Sequence, residues 1–233
     1  MEITLVIPTY NESQNIPILF EKVFNVFRDS GLDGNVIVVD DNSPDGTWKI
    51  AEELKEKYTR LEVLRRVNER GLSSAVLLGF RTSKSDILGV MDADLSHPAE
   101  KIPELVEPII TGEADIVIGS RYIEKGEIGE WALQRKISSK LATLAVRGLT
   151  TVKDPMSGFF FLKREVLENV ELSPEGFKIG LEILVRGKYH KVVEVPILFQ
   201  DRIYGETKLS SKVILDYLYQ VLRLYVCKVF KSN

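Results

Sequence analysis

The chain has 233 residues, enough for one large domain or two small ones with a sizeable hydrophobic core. It carries 31 lysines and arginines against 34 aspartates and glutamates, and the resulting net charge of −3 argues against a nucleic-acid-binding protein. The single cysteine, Cys227, excludes an internal disulfide framework and is typical of a reducing compartment.

The first half of the chain alternates short apolar runs with segments of helical periodicity, which predicts βαβ units around a mostly parallel sheet. The apolar runs predict strands at 3–8, 36–40, 61–64, 87–91 and 116–119. The spacing of apolar residues predicts helices at 16–27, 48–58, 73–80 and 102–110. Gly31 ends the first of these helices.

The second half is less regular. It predicts a mainly helical segment, a strand, a helix, a strand, a polar segment and a last helix, at 131–149, 158–162, 179–185, 192–199, 200–208 and from about 210. No repeat or interdomain linker interrupts this order. The sequence therefore predicts one catalytic domain over 1–209, followed by a C-terminal amphipathic helix over 210–233.

The sequence predicts no membrane-spanning segment. Residues 1–8 predict a strand and not a signal peptide, because no basic stretch precedes the short apolar run. No uninterrupted apolar stretch approaches the ~20 residues that a membrane helix needs. We therefore expect a soluble or peripheral protein.

The last helix has an apolar stripe at positions 214, 217, 218, 221, 222, 225 and 229, interrupted by charged residues. Such a stripe suits a helix packed on the domain core. It equally suits an interfacial helix that brings the protein to a membrane. Periodicity does not separate these two alternatives.

Two acidic segments directly follow predicted strands: Asp40-Asp41, and Asp92-Ala93-Asp94. In an open α/β sheet, ligands bind at the carboxyl ends of the strands. Asp92 and Asp94 would point the same way in extended backbone and repel each other unless a cation lies between them. Such oxygen ligands suit Mg²⁺ or Mn²⁺. Alternatively, Asp94 only caps the next helix.

Several familiar signatures are absent. The sequence has no Gly-x-Gly-x-x-Gly after the first strand and no Gly-x-x-x-x-Gly-Lys-[Ser/Thr], which argues against a dinucleotide site and a P-loop. No Gly-x-Ser-x-Gly anchors a Ser–His–Asp triad. His97 and His190 have no metal-ligand partner at a useful spacing, so both are predicted to lie on the surface or to support a site.

Eight motifs occur in order along nearly the whole chain: Ile-Pro-Thr-Tyr-Asn-Glu (7–12), Val-Asp-Asp-Asn-Ser-Pro-Asp-Gly-Thr (39–47), Gly-Leu-Ser-Ser-Ala (71–75), Met-Asp-Ala-Asp-Leu-Ser-His-Pro (91–98), Gly-Ser-Arg-Tyr (119–122), Arg-Lys-Ile-Ser (135–138), Asp-Pro-Met-Ser-Gly-Phe-Phe (154–160) and Arg-Ile-Tyr-Gly-Glu-Thr-Lys-Leu (202–209). Together they resemble the inverting, metal-dependent glycosyltransferases of the GT-A fold, and in particular the polyprenyl-phosphate (dolichyl-phosphate) mannosyltransferases. The resemblance implies an α/β fold whose mostly parallel, Rossmann-like central sheet is flanked by helices.

The resemblance also implies a donor site. The residues that would hold the guanine and ribose of a GDP-sugar are Pro8, Tyr10, Glu12, Val39 and Asp41. The bland alternative for Glu12 is an exposed residue in the first turn of a helix.

At the diphosphate, the resemblance has Asp92 and Ala93 facing the nucleotide. Asp94, with Asp92, would bind the Mg²⁺ or Mn²⁺ that bridges the two phosphates. Ser96 stands where some members of the family carry a glutamine that reaches the metal, so it is the third candidate ligand.

Basic residues match the family positions that handle phosphate. By the resemblance, Arg121 and Arg202 clamp phosphates and act in catalysis together with Asp94, and Lys178 and Lys208 face the donor. Arg135 with Ser139 receives the lipid phosphate. A polyprenyl monophosphate is largely deprotonated at neutral pH, so this nucleophile needs cations and no general base.

The resemblance implies transfer of mannose from GDP-mannose to dolichyl or polyprenyl phosphate with inversion. The partners would be these two substrates and a possible small anchoring subunit, with no nucleic acid, on the cytosolic face of a membrane. Open alternatives are a UDP-sugar donor (glucose or aminoarabinose), a hydroxyl acceptor with Glu182 as base, and an inactive nucleotide-sugar-binding subunit.

Overall fold

The computed structural model describes residues 1–128, 142–173, 175–176, 178–200 and 211–231. Its strands, in chain order, are β1 (Ile3–Thr9), β2 (Gly34–Asp40), β3 (Leu61–Arg65), β4 (Ile87–Val90), β5 (Ile116–Ser120), β6 (Glu127–Ile128), β7 (Phe160–Lys163), β8 (Val192–Pro196) and β9 (Leu198–Phe199). Seven of them form one sheet in the order β3-β2-β1-β4-β7-β5-β8, and β6 pairs with β9 in a second, small sheet. The predicted mostly parallel sheet is confirmed, with β7 antiparallel to both of its neighbours.

The helices are α1 (Ile16–Ser30), α2 (Thr47–Leu54), α3 (Leu72–Thr82), α4 (Ile102–Ile110), α5 (Ile179–Arg186) and α6 (Ser211–Lys231). The apolar faces of α1, α2 and α4 pack on one side of the sheet, and those of α3 and α5 pack on the other. The predicted helix 48–58 ends earlier, at Leu54, and Tyr58 lies beyond it, stacked on Phe24 at 4.4 Å between ring centroids.

The predicted strand 192–199 is wrong as a single element. Its residues form β8 and β9, which pair with β5 and β6 in different sheets. Ile197 stands between them, and its N–H donates to the carbonyl of Ser120, the last residue of β5 (3.0 Å). The apolar run continues across this change of partner because Ile197 itself is buried.

Part of the helix predicted over 131–149 lies within the structure, where residues 142–145 are helical and a turn follows. Residues 129–141 and the polar segment 201–208 lie outside the described residues.

The order of the strands places a crevice beside β1. The chain runs outward from β1 to β2 and β3, then crosses back to place β4 on the other side of β1. Ligands bind outside the carboxyl ends of the strands at such a switch point. The loop after β1 and the loop after β4 border this crevice. The first begins at Tyr10 and the second contains Asp92 and Asp94.

Helix α6 has two apolar faces, so its predicted stripe is not one face. Val221 and Leu224 pack against a cluster formed by Val146, Leu149 and Leu181. The opposite face exposes the side chains of Leu215, Leu218, Tyr219, Leu222, Val226, Val229 and Phe230. None of the described helices is long and apolar enough to cross a membrane. The core-packed alternative therefore holds for one face, and the other face has no covering element among the described residues.

Asp115 connects the ends of three strands, β5, β7 and β8, on the side of the sheet opposite the acidic segments. Although burial raises the pKa of this carboxyl, hydrogen bonds from the Lys163 ammonium and from the N–H groups of His190 and Lys191 lower it to about 2. Because the folded-state pKa lies below the usual value of 3.8, the stabilisation is present above pH 4 and is lost as the pH falls from 4 towards 2.

We expect Asp115→Asn to lower the free energy of unfolding at pH 7 by about 1–2 kcal/mol, since solvent screens part of the ion pair. Urea melts at pH 7 and pH 3 measure this. The difference in stability between wild type and variant should shrink at pH 3, while exposed Glu113→Gln should change neither melt. An Asp115→Asn difference that is unchanged at pH 3 would contradict the ionic account.

Candidate active site

Asp92 and Asp94 lie in a bend just past the end of β4. The strand ends at Val90, so the prediction that extended backbone aligns the two carboxylates is wrong. Leu95 takes a left-handed backbone conformation (φ 61°), which turns the chain sharply after the pair. Both carboxylates nevertheless act electrostatically on the same imidazole, that of His97. The bend therefore brings them together around His97.

Ser96 holds Asp94 in place. Asp94 is only 4% exposed, and its Oδ1 accepts hydrogen bonds from both the N–H and the hydroxyl of Ser96. The alternative that Asp94 caps a helix is wrong, because the 3₁₀ turn that follows has Pro98 at its N-cap and no side-chain cap. Ser96 thus has an observed role in orienting Asp94, and its role as a metal ligand stays a prediction.

Asp92 is approached closely by backbone and by a buried histidine. A Cβ at Gly158 would lie 2.7 Å from Asp92 Oδ2, so only glycine allows this approach. His97 Nδ1 lies 4.0 Å from the same oxygen. Burial lowers the pKa of His97, and the two aspartates offset this only in part, so the imidazole is neutral at pH 7. His97 is therefore a support of the site, as predicted, and not a surface group.

Arg121 is fixed at the same edge by a buried carboxylate that the sequence analysis gave no role. Its guanidinium Nε and Nη2 donate to the two oxygens of Asp154, at 2.7 and 2.8 Å. The main-chain N–H of Arg121 also donates to Asp154 Oδ2, at 3.0 Å. Asp154 is in turn held by Glu194, which accepts from the N–H groups of Lys153 and Asp154. Burial lowers the pKa of Arg121, and Asp154 more than offsets this, so the guanidinium stays charged.

The loops after β1 and β2 are pinned to each other. The N–H of Asn11 donates to the hydroxyl of Ser43 (3.0 Å), and the N–H of Glu12 donates to the hydroxyl of Thr47 (2.9 Å). The Glu12 side chain is buried and precedes α1, whose first turn contains no acidic residue. The alternative without a binding role, in which Glu12 is an exposed residue in the first turn of a helix, is therefore wrong. Tyr10 is half-buried, with the guanidinium of Arg70 5.1 Å from its ring.

Asp40 and Asp41 have different hydrogen-bond partners and different structural roles. Asp40 is fully buried and accepts from the hydroxyls of Thr9 and Ser43, so it shapes the loop. Asp41 accepts from Arg66 at Oδ1 and from the N–H of Gly71 at Oδ2.

Arg66, which the sequence analysis did not single out, is also buried. It donates to the hydroxyl of Ser74 and the carbonyl of Gly71 at the start of α3. Asp41 is therefore fixed in place by the loop that follows β3.

The remaining predicted donor residues are described by their backbone positions. Pro8 and Val39 are paired neighbours at the ends of β1 and β2. The pairing of β1 with β4 ends at Val6 and Val90, two residues before Pro8. Because proline has no N–H to donate, its place after the last pair means that no hydrogen bond between β1 and β4 is lost. The methyl group of Ala93 packs in the core, so Ala93 has only its main chain to offer a ligand.

Lys178 lies near the acidic pair, whereas Glu182 is bound to two arginines. Lys178 Nζ donates to the carbonyl of Met156 (3.1 Å), and its charge acts on His97. Glu182 is fully buried, and its two oxygens are bound by Arg186 and by Arg223 of α6, at 2.8 Å each. A carboxylate that has no exposed surface and bridges two guanidinium groups is not available to a substrate. The hydroxyl-acceptor alternative with Glu182 as base is therefore wrong.

The structure thus places Asp92 beside His97, Arg121 against the same Phe199 ring that His97 contacts, and the Lys178 ammonium at Met156, two residues before the Gly158 that packs on Asp92. Four further predicted site residues, Arg135, Ser139, Arg202 and Lys208, lie outside the described residues. Asp154 was visible in the sequence only as part of a motif. Arg66 gave no signal, because a periodic pattern does not show which arginine is buried with a carboxylate.

The donor set at this edge fits a metal that the substrate helps to bind. No group of three or more metal-ligating side chains occurs within the described ranges. Mg²⁺ and Mn²⁺ are commonly held by one or two carboxylates, with water and substrate phosphate completing the shell. Asp92 and Asp94 provide such a pair, and a cage made only of protein ligands is not what these residues offer.

Residues 4–171 match a family model described as glycosyl transferase family 2. The match extends from β1 past β7 and includes both acidic segments and Arg121. The chain belongs to glycosyl transferase family 2. The family resemblance predicted from the motifs is confirmed.

Curated relatives within glycosyl transferase family 2 are similar over nearly the whole chain. A dolichol-phosphate mannosyltransferase of Pyrococcus furiosus is 49% identical over 96% of this chain, which spans 64% of that relative's length. A dolichol-phosphate mannosyltransferase of Saccharomyces cerevisiae is 39% identical over the whole chain and 90% of the relative. One from Mycosarcoma maydis is 35% identical, over 95% of this chain and 78% of the relative.

Solved structures confirm the GT-A glycosyltransferase fold. Glucosyl-3-phosphoglycerate synthase from Mycobacterium tuberculosis, in complex with Mn²⁺, UDP-glucose and phosphoglyceric acid, superposes with a TM-score of 0.68 at 19% identity. The superposition covers 97% of this chain and 79% of the synthase. A second crystal structure of the same synthase gives a TM-score of 0.64 at 21% identity, over 97% and 80%. This likeness concerns the fold alone.

Proposed function

We propose that the protein transfers mannose from GDP-mannose to dolichyl or polyprenyl phosphate with inversion at the anomeric carbon. The observation that carries the proposal is the buried cation Arg121, fixed by Asp154 beside the acidic pair at the crevice edge. A site with carboxylates and a fixed guanidinium suits two phosphate-bearing substrates and a divalent cation. The names of the three relatives support mannose and dolichol phosphate as substrate classes.

The donor would lie along the crevice from the loop after β1 to the loop after β4. Glu12 and Asp41 would accept from the guanine base, with Pro8, Tyr10 and Val39 beside it. The diphosphate would meet Asp92, Ala93 and Asp94 at the other end. Mg²⁺ or Mn²⁺, held by Asp94 and Asp92 with Ser96 as the third candidate ligand, would act as a Lewis acid on the GDP leaving group.

The acceptor phosphate would attack without a general base. One of its oxygens forms the new bond to the anomeric carbon, and the bond from that carbon to the GDP oxygen breaks, so the electron pair leaves with GDP. The acceptor is already largely deprotonated at neutral pH, so no proton has to be removed. The observation that Glu182 is committed to Arg186 and Arg223 supports this base-free displacement.

Cations would hold the two anionic substrates together, because bringing them into one cleft is costly without opposite charge. Arg121 and Arg202 would clamp phosphates in the reaction, and Lys178 and Lys208 would lie on the donor side. Arg135 with Ser139 would receive the lipid phosphate. The N–H of Gln200, the last described residue before Arg202, donates to the carbonyl of Ser96 (3.0 Å), so Gln200 itself lies beside the acidic segment.

The second candidate donor is a UDP-sugar, because Asp92, Asp94 and Arg121 would meet the diphosphate and do not themselves distinguish the two bases. Titration calorimetry with GDP and UDP, each with Mg²⁺ or Mn²⁺, distinguishes the two. We expect GDP to bind at least tenfold more tightly, because Glu12 and Asp41 can accept from the N1–H and exocyclic amine of guanine. Uracil offers one such donor. Equal or tighter binding of UDP would contradict the GDP-mannose proposal.

We also propose that α6 lies in the membrane interface and brings the catalytic domain, residues 1–209, to the cytosolic face of its membrane. The exposed apolar side chains on α6 support this, because an interfacial helix presents such a face to the acyl chains. The acceptor lipid would then be at the same surface. A small anchoring subunit would be a further partner, and no nucleic acid takes part.

Outward-facing substitutions test the interfacial helix without disturbing the core. We expect Leu218→Gln combined with Leu222→Gln to reduce binding to liposomes of neutral and anionic lipids at least fivefold, because both side chains are exposed. The melting temperature should stay within about 2 °C of wild type. Unchanged liposome sedimentation by this variant would contradict an interfacial α6. The matched control is Ile110→Gln, which replaces another exposed aliphatic side chain at the end of α4, outside α6.

A further inference from the structure

Helix α6 reaches the crevice edge through one buried side chain, that of Gln220. The residue is 2% exposed, although it lies on a helix whose opposite face is open. Its Oε1 accepts from the N–H of Lys178 (3.2 Å), and its Nε2 donates to the carbonyl of Lys178 (3.1 Å). One amide thus pairs with both main-chain groups of a single residue, as a neighbouring strand would do.

The chain just before Lys178 is shaped around this amide. Gly176 has a φ of +116°, and a Cβ there would lie 2.7 Å from Gln220 Cδ. Its carbonyl accepts from the hydroxyl of Ser73 at the start of α3 (2.7 Å). The backbone is therefore held from two sides, by α3 and by α6, immediately before α5 begins.

The side chain of Lys178 extends from this anchored backbone to the acidic edge. Its Nζ donates to the carbonyl of Met156, two residues before Gly158, whose backbone packs against the Asp92 carboxylate. The location of this ammonium therefore depends on the backbone position that Gln220 fixes.

We propose that Gln220 is a positioning residue that places Lys178 beside the diphosphate of the donor and so couples helix α6 to catalysis. The inference rests on the proposed function, in which Lys178 lies on the donor side. Gln220 itself touches no substrate. Arg223 completes the coupling, because its ion pair with Glu182 joins α6 to the first turn of α5, directly after Lys178.

A double-mutant cycle tests this inference in detergent with a short-chain polyprenyl phosphate, where membrane binding plays no part. Gln220→Met keeps the length of the side chain and removes both hydrogen bonds to Lys178. We expect it to lower kcat about tenfold and to leave the KM for the acceptor within twofold. In a Lys178→Met background, the same substitution should lower kcat no further, because the two residues act as one unit.

The matched control is Tyr225→Phe, which removes a single hydrogen bond between α6 and the carbonyl of Ala145, away from Lys178. We expect its kcat to stay within twofold of wild type. Additive effects of Gln220→Met and Lys178→Met would overturn the inference, as would a wild-type kcat in Gln220→Met. If Gln220→Met does not fold, Gln220→Asn, whose shorter amide cannot reach both main-chain groups of Lys178, takes its place in the cycle.

The same double-mutant cycle can be measured with the affinity for GDP and Mg²⁺ as the readout. Calorimetry gives this affinity without any transfer reaction. Gln220→Met should weaken GDP binding severalfold in the wild-type background and not in Lys178→Met. If the wild type transfers no mannose while this cycle is non-additive, the proposed substrates are wrong and the positioning role stands. If mannose is transferred and the binding cycle is additive, the positioning role alone is wrong.

Discussion

Replacing Asp94 by asparagine should lower the transfer rate at least about 10³-fold, the largest loss expected from any single substitution in the described residues. Asparagine keeps an oxygen that accepts from Ser96, so the bend after β4 should survive. The missing negative charge would abolish the pairing with Mg²⁺ or Mn²⁺. A steady-state assay with saturating metal measures the rate, and a thermal melt within about 2 °C of wild type shows that the fold is intact.

The control for Asp94→Asn is a substitution at Ser96, the residue that donates hydrogen bonds to Asp94. Ser96→Ala removes the hydroxyl and leaves the N–H of residue 96, so Asp94 keeps one of its two bonds. We expect a loss of about tenfold or less. A loss as large as that of Asp94→Asn would instead make Ser96 a metal ligand. If Asp94→Asn instead retained near-normal activity without added metal, the mechanism would not require a divalent cation.

Asp154→Asn should give the second largest effect, a loss of about 100-fold in kcat/KM. The variant turns an amide N–H towards the guanidinium of Arg121, so the pair that holds this cation is broken while Arg121 stays buried. Breaking a buried ion pair on one side is also strongly destabilising, by about 3–5 kcal/mol. Transfer kinetics and urea melts at pH 7 measure the two consequences separately.

The matched control for Asp154 lies on the opposite edge of the sheet. Asp115→Asn also removes a carboxylate that holds a cation, Lys163, but far from the crevice. It should destabilise the protein and leave kcat/KM within twofold of wild type. If both variants lose activity in proportion to their loss of stability, Asp154 has only a structural role, and the account of Arg121 fails.

Much of the sheet could be predicted because burial leaves a direct mark on sequence. Strands β1, β2 and β4 are nearly continuous apolar runs, as expected for parallel strands covered on both faces. The run at 192–199 marks burial equally well, but it does not show that the pairing partner changes at Ile197. A strand's partner depends on contacts that are distant in sequence, and no local pattern records them.

The acidic and basic site residues divide in a similar way. Asp92, Asp94 and Arg121 stand directly after strands, so their place at one sheet edge follows from topology. Their supports do not stand out. Asp154 is 33 residues from Arg121, and Gln220 is 42 residues from Lys178. A buried polar residue must be paired, but the sequence does not name its partner.

The C-terminal helix shows why periodicity left two alternatives open. Its apolar positions 217, 218, 221 and 222 span both an inner and an outer face, so a single stripe was the wrong description. The buried side chain of Gln220 and the half-buried side chain of Arg223, both bonded to α5 or to the residue before it, mark the inner face more sharply than the apolar ones do. Apolar residues alone do not separate a face that contacts protein from one that would contact lipid.

The most direct test of the central proposal is the structure of the product. The purified chain is incubated with GDP-mannose, polyprenyl phosphate and Mg²⁺, and the lipid-extractable product is analysed by proton and phosphorus magnetic resonance. The account predicts a mannosyl phosphate with the β configuration, because a base-free displacement by the acceptor phosphate inverts the α-linked donor. An α-linked product, or the absence of lipid-linked mannose when a UDP-sugar gives a product, would contradict it.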